Sequence, residues 1–428
     1  KKNIRIYLLI DEYDNFTNTI LSTYGTEFYR KATHGEGFIR GFFNVIKSAT
    51  TGTGAALERL FITGVSPVTM DDVTSGFNIG TNITNDSWFN DLVGFSENEL
   101  REMLEYYKEQ GVLQESIDEI VAMMKPNYDN YCFSEDTLEQ CMFNSDMALY
   151  FLKSFVLHHK KPKEIVDPNI RTDFNKLAYL IKLDHGLGEN FSVIKEIAEQ
   201  GEIVTDIVTH FSALEMTDPS NFKSLLFYFG LLSIKGVDMV GRPILHVPNL
   251  VVREQLFNFL IQGYIKHDIF KIDMNKMSAL FENMAFRGDW KPLFDFIANA
   301  VREQSRIREY IEGEAHIKGF LLAYLGMYRY YQLYPEYELN KGFADFFFKP
   351  SPSVPVLPPF TYLLEVKYAK VGASEKEIRA LADEARDQLL RYSEDELVAE
   401  ARAKGELKLI TIVWRSWELV LLEEVTLS

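Results

Sequence analysis

Cysteine is nearly absent from this chain. Cys132 and Cys141 are the only two in 428 residues, too few for a disulfide framework or a zinc cluster, and they read as packed free thiols in a reducing cytoplasm. The eight histidines show no metal-ligand spacing, and His158-His159 runs into Lys160-Lys161 as a solvated basic turn. No apolar run reaches the length of a membrane span; Ser224 to Ile234 is short enough to be a buried helix. No signal peptide, internal repeat or low-complexity tract is evident, although a start on Lys1-Lys2 without methionine would hide a leader. Basic residues are in deficit, with 45 Lys and Arg against 62 Asp and Glu, a net charge of −17. Such a surface repels a polyanion except where a local basic patch overrides it. What is plentiful is apolar material: 46% hydrophobic and 14% aromatic residues can bury sizeable cores, and the length suggests two to four domains.

The most informative residues lie near the C-terminus. Gly342-Phe-Ala-Asp345-Phe-Phe-Phe precedes Phe360-Thr-Tyr-Leu-Leu-Glu365-Val-Lys367, two strand-like segments separated by Ser351 to Pro359. That separating stretch holds four prolines, which excludes an inner strand and makes it a hairpin loop. Side chains alternate along a strand, so Glu365 and Lys367 share a face, and Asp345 on the neighbouring strand can sit beside Glu365. Two converging carboxylates suit Mg²⁺ or Mn²⁺ with room for waters and a phosphate. The Lys367 ammonium would position an attacking water and offset charge on the transition state. Glu-x-Lys at a strand end also occurs as a plain solvated charge pair, so context decides. Upstream, Arg308 to Leu325 reads as an amphipathic helix carrying Glu314 as a further acid, with His316 close by. Downstream come a helix over Ser374 to Tyr392 and a strand over Leu407 to Trp414.

At the other end, Ile4 to Ile10 is an almost continuous apolar run ending in Asp11-Glu12. This suits an inner parallel strand that presents acids at its C-terminal edge. In a phosphate-loop ATPase the aspartate of such a pair serves Mg²⁺ and the glutamate orients the attacking water, roles open to Asp11 and Glu12. A second buried strand, Leu60 to Val65, carries Thr63 where a sensor would sit. An ordinary strand running into an acidic loop reads the same way. The partner motif, Gly-x-x-x-x-Gly-Lys-Ser/Thr, is missing, and Thr51-Gly-Thr-Gly54 reads as a turn. The expectation is that a segment carrying the phosphate loop is not represented, and that ATP binds only if that loop is supplied.

The helix, three strands, helix, strand order around Asp345, Glu365 and Lys367 resembles the PD-(D/E)XK nuclease superfamily. The likeness is to the C-terminal nuclease-like domain that bacterial proteins fuse to a degenerate AAA-type ATPase domain. It covers about the last 125 residues. Stretches such as Phe61 to Asp72, Asp167 to Asp173, Phe222 to Leu232 and His246 to Arg253 resemble the same fusion. The resemblance implies that Asp345 and Glu365 ligate metal, that Lys367 is catalytic, and that Glu314 is the acid of the first helix. It also implies that Gln388 and Tyr392 form the Gln-x-x-x-Tyr signature near the nucleic acid.

The fold class expected is therefore multidomain α/β. Residues 1–95 form a partial phosphate-loop-ATPase-like α/β core, 96–305 a helical lid and connector, and 306–428 a restriction-endonuclease-like α/β domain. Tyr128, Tyr131 and Phe133 could stack bases but read more simply as core, and Arg171 and Arg253 as structural ion-pair formers or arginine sensors. Lys341, Lys349, Lys367 and Lys370 would make a narrow basic cleft on an acidic body. The expected function is a Mg²⁺-dependent DNA nuclease coupled to or regulated by the ATPase-like module. DNA is the expected partner, together with a recruiting protein or a second copy of the chain, and no membrane. The alternative is an inactive scaffold of pseudo-ATPase and pseudo-nuclease domains.

Overall fold

A computed structural model describes residues 6–50, 55–65, 67, 80–162, 164–167, 189–212, 215–216, 218–266, 273–303, 313–326, 328–339, 342–351, 354 and 356–426. Thr51 to Gly54, Arg171 and Lys341, named above, lie outside them. The chain divides into two compact units: Lys1–Val193 with Glu202–Asn249, and Ile194–Gly201 with Leu250–Ser428.

In the first unit, strands β1 (Ile6–Ile10) and β2 (Leu57–Ile62) pair in parallel, connected through helices α1 (Asn15–Thr33) and α2 (Phe38–Thr50). Ile39, Phe43 and Ile46 recur at helical spacing on α2 and pack on Leu8, Ile10, Leu60 and Ile62. The parallel pairing agrees with the apolar runs, but the burial does not. Tyr7 and Leu9 are 64% and 75% exposed, because among the described residues this sheet has only two strands and α2 covers one face. An apolar run predicts a strand covered on both sides; among the described residues one side is uncovered.

Three helices follow as the periodicity requires: α3 (Glu97–Glu109), opened by a capping box between Ser96 and Glu99, α4 (Ile117–Tyr128) and α5 (Ser145–His158). Tyr128 is buried in this core and its hydroxyl donates to the Ile165 carbonyl at 2.9 Å, so packing explains it. Cys132 is buried, Cys141 half-buried, and both are free thiols. After α6 (Glu189–Gln200) comes an antiparallel sheet of β3 (Glu202–Val204), β4 (Ser233–Val237) and β5 (Pro243–His246) in the order β3-β5-β4, with α7 (Pro219–Tyr228) inserted. Sequence periodicity suggested a largely helical region here. Strands of three to five residues carry too little alternation to register.

The second unit contains α8 (Leu250–Lys266), α9 (Met274–Arg287), α10 (Lys291–Glu303) and α11 (Glu314–Leu325). Then come β6 (Tyr331–Leu339), β7 (Gly342–Pro350), β8 (Phe360–Ala369), α12 (Glu375–Tyr392), α13 (Glu396–Lys404), β9 (Glu406–Arg415) and β10 (Glu418–Val425). The sheet order is β10-β9-β8-β7-β6. All neighbours are antiparallel except β8 and β9, which the α12–α13 crossover makes parallel. Leu389 and Tyr392 of α12 pack on Phe347, Leu363 and Leu409 on one face. On the other, Tyr362 donates to the Met284 carbonyl of α9 at 2.6 Å. Pro335 sits on the edge strand β6, where a missing N–H costs least.

Candidate active site

Strand register builds this site. β6 pairs with β7 through Pro335↔Phe346 and Tyr337↔Ala344, which sets Glu336 opposite Asp345. The β7–β8 register, Phe346↔Leu364, carried one residue on, sets Asp345 opposite Glu365. Glu365 then faces Thr411 of β9. One rung of the sheet thus carries three carboxylates in a row. Glu336 has a left-handed φ of 43°, unusual for a residue with a side chain inside a strand.

Asp345 and Glu365 are 4% and 2% exposed. Asp345 Oδ2 accepts from the Val366 amide at 2.6 Å, and Glu365 Oε2 takes the Asp345 amide at 3.5 Å. Burial, the largest influence, pushes both carboxyls above the usual carboxylate range, and the neighbouring Asp345 raises Glu365 further. Lys367 Nζ lies 3.3 Å from Glu365 Oε1 and 3.2 Å from Glu384 Oε1 of α12. Burial acts to lower the Lys367 ammonium, but Glu365 and Glu384 outweigh it and hold it above its ordinary value.

Helix α11 brings a second ammonium. Lys318 is one helical turn after Glu314, pairs with it at 3.1 Å, reaches Glu336 at 3.0 Å, and makes its closest ion pair with Asp345. Burial opposes its charge, yet Asp345 and Glu336 raise its pKa well above normal. Glu314 therefore joins the site through Lys318 rather than by meeting Asp345. On α12, Tyr392 is buried and its phenol is pushed up by burial and then by the negative charge of Glu365. A Cβ at Gly342 would lie 2.5 Å from Tyr392 Oη, so a larger residue there would push the tyrosine ring aside. Gln388, one turn before Tyr392, has a buried Oε1 without a hydrogen-bond donor among the described residues.

The structure brings together Asp345, Glu365 and Lys367, with Glu314 linked through Lys318. Sequence reasoning missed Lys318, Glu336 and Glu384. The i, i+4 spacing of Glu314 and Lys318 was the one available signal.

Among the described residues no three His, Cys, Asp or Glu side chains are grouped to hold a metal ion. What is present is a pair of buried acids with raised proton affinity, an oxygen-only donor set. Mg²⁺ is held by one or two carboxylates with waters and substrate phosphates completing its shell, so the donors fit. The Lys318 ammonium supplies positive charge at Asp345 in this arrangement.

The first unit holds the other predicted constellation. Asp11 lies just beyond β1, and its carboxylate accepts a short hydrogen bond from the Thr63 hydroxyl just beyond β2. Glu12 adopts a left-handed φ of 50° and takes the Asn15 side-chain amide at 2.8 Å. Buried Asp14 receives the Val65 amide at 3.1 Å and holds the two strand ends together.

Comparison with known families gives two matches. Residues 312–424 match the family model of the PD-(D/E)XK nuclease superfamily, and residues 1–74 match that of a predicted AAA-ATPase. Among curated proteins, none matches the chain. Among the described residues no helix is long and apolar enough to cross a membrane.

Proposed function

From a chain that joins an AAA-ATPase-like segment to a PD-(D/E)XK nuclease superfamily domain, we propose a metal-dependent nuclease that hydrolyses DNA phosphodiesters, regulated by the ATPase-like unit. The observation that carries this reading is the rung itself. Asp345 and Glu365 are buried side by side at an electrostatic cost that a divalent cation would repay.

In this reading Asp345 and Glu365 hold Mg²⁺ or Mn²⁺, which when bound supplies Lewis-acid activation of a phosphoryl oxygen and of water. Lys367, fixed from two sides by Glu365 and Glu384, orients the water and offsets charge developing on the phosphate. Gln388 and Tyr392, both on α12, would contact the strand being cut. Asp11 and Thr63, joined by their hydrogen bond, would serve ATP only with a phosphate loop supplied.

A second reading has its own support. Lys318 already neutralises Asp345, and a site satisfied by its own lysines suits a scaffold with an inactive nuclease fold. The experiment that separates them is cleavage of labelled single- and double-stranded DNA with Mg²⁺, Mn²⁺ or EDTA. Metal-dependent cutting lost by at least about 10²-fold in Lys367→Ala and Asp345→Ala would carry the nuclease reading. No cutting, or equal cutting by the variants, would carry the scaffold.

A further inference from the structure

The second unit treats its cations unequally. Lys318 meets three carboxylates, Lys367 two, and Lys408 two, Glu406 at 3.1 Å and Glu424 at 3.0 Å. Arg253 and Lys349 meet none among the described residues. Arg253, in the first turn of α8, is half-buried and donates to the Leu333 carbonyl, at 3.4 Å. Burial lowers its pKa, and no carboxylate opposes that shift. Its guanidinium lies 4.9 Å from the centre of the Tyr334 ring. Lys349 Nζ lies 5.1 Å from the same ring, 4.5 Å from that of Tyr337 and 4.9 Å from that of Phe347. It donates to the Tyr337 hydroxyl oxygen at 2.9 Å, which leaves the phenolic proton free to donate onward.

Two cations sharing one aromatic ring repel each other. The ring quadrupoles attract each cation and so work against this repulsion. Neither cation meets an acid among the described residues, and both are half-buried, an arrangement that suits an external anion. The position fits a strand held at the acid row. Lys349 and Phe347 lie on β7 four and two residues beyond Asp345 and on its face, and Tyr334 pairs with Phe347 across the ladder. The strand rise sets the cage roughly 7–13 Å from Asp345.

We infer that Arg253 and Lys349, with the Tyr337 hydroxyl, form a phosphate-binding subsite that grips the sugar-phosphate backbone of a nucleic acid a few nucleotides from the scissile bond. The inference rests on the nuclease reading and adds where the substrate runs. The planar Arg253 fork suits two phosphate oxygens, and the Lys349 ammonium acts as a point charge. The tyrosine rings hold both cations in place before the anion arrives. Contact through phosphate alone makes this subsite indifferent to base sequence.

The test is fluorescence anisotropy of labelled single-stranded and duplex oligonucleotides on the full chain in EDTA, across 50–200 mM salt, beside the cleavage assay. Arg253→Gln and Lys349→Gln should each weaken binding about tenfold and lower the slope of log K against log salt by about 0.7–0.9. Arg253→Lys and Lys349→Arg should restore most of that slope, which a purely structural cation–π contact would not require. Thermal midpoints of the glutamine variants, unchanged or higher, would confirm that folding is intact. Wild-type cutting with unaltered affinity and slope in both glutamine variants overturns the subsite and leaves the nuclease standing. Absence of both cutting and binding by the wild-type chain overturns the nuclease reading and the subsite with it.

Discussion

Glu365 is the residue on which the chemistry of the rung turns, and its environment makes a pH prediction. Its carboxyl rises from an ordinary 4.5 to about 8, through burial first and then the neighbouring Asp345, with Lys367 opposing. Between those values the folded chain binds more protons at this group than the unfolded chain does. Metal-free stability must therefore fall as pH rises from about 4.5 toward 8. Glu365→Gln keeps the shape and removes the titration. The variant should gain on the order of 2–4 kcal/mol over wild type at pH 8 and little at pH 5, read by urea denaturation in EDTA. Equal pH dependence in the two proteins would mean that another group carries the proton. The same residue shows what sequence can reveal. Strand alternation put Glu365 and Lys367 on one face, and the prolines before them defined the hairpin that delivers Asp345. Glu384 was invisible because its link to Lys367 spans a strand and a helix, and no local period reports that.

At the scale of elements, helix α11 is more than a wall of the site. It carries Glu314 and Lys318 one turn apart and presents the lysine to Asp345 and Glu336 on separate strands. An ammonium on a flexible stem can leave when a divalent ion takes its place, so Lys318 should compete with the metal for Asp345. Lys318→Met retains the packed stem and removes the charge. Mn²⁺ should bind that variant tighter by on the order of tenfold, by titration calorimetry or electron paramagnetic resonance. Unaltered Mn²⁺ affinity would show that Asp345 is free to take metal without displacing Lys318. Elements were legible to different degrees for a physical reason. Helix α12 declares itself through a long periodic run and a capping Ser374 with Glu377 three residues on, and strands β7, β8 and β9 through nearly continuous apolar runs. β3, β4 and β5 are too short to do so, and the open face over Tyr7 and Leu9 depends on what lies beside a strand. An apolar run does not record that.

For the molecule as a whole, the two compact units should unfold as two transitions. Both proposed metal-binding carboxylates belong to the unit that contains Leu250–Ser428, so calorimetry can assign the transitions without cutting the chain. Saturating Mn²⁺ at pH 8 should raise the midpoint of one transition only. At one hundred times the dissociation constant the stabilisation is about 2.7 kcal/mol. The shift should shrink at pH 5, where Asp345 and Glu365, both raised above their usual range, bind protons instead. ATP with Mg²⁺ should add nothing beyond Mg²⁺ alone, since no Gly-x-x-x-x-Gly-Lys-Ser/Thr motif occurs in the 428 residues. A Mn²⁺ shift that survives in Asp345→Ala, or that moves both transitions, would place the ion elsewhere. Screening by net charge cannot imitate the expected result, because on a chain of −17 a divalent ion acting only as a counterion would stabilise both units and act equally well as Ca²⁺ or Mn²⁺.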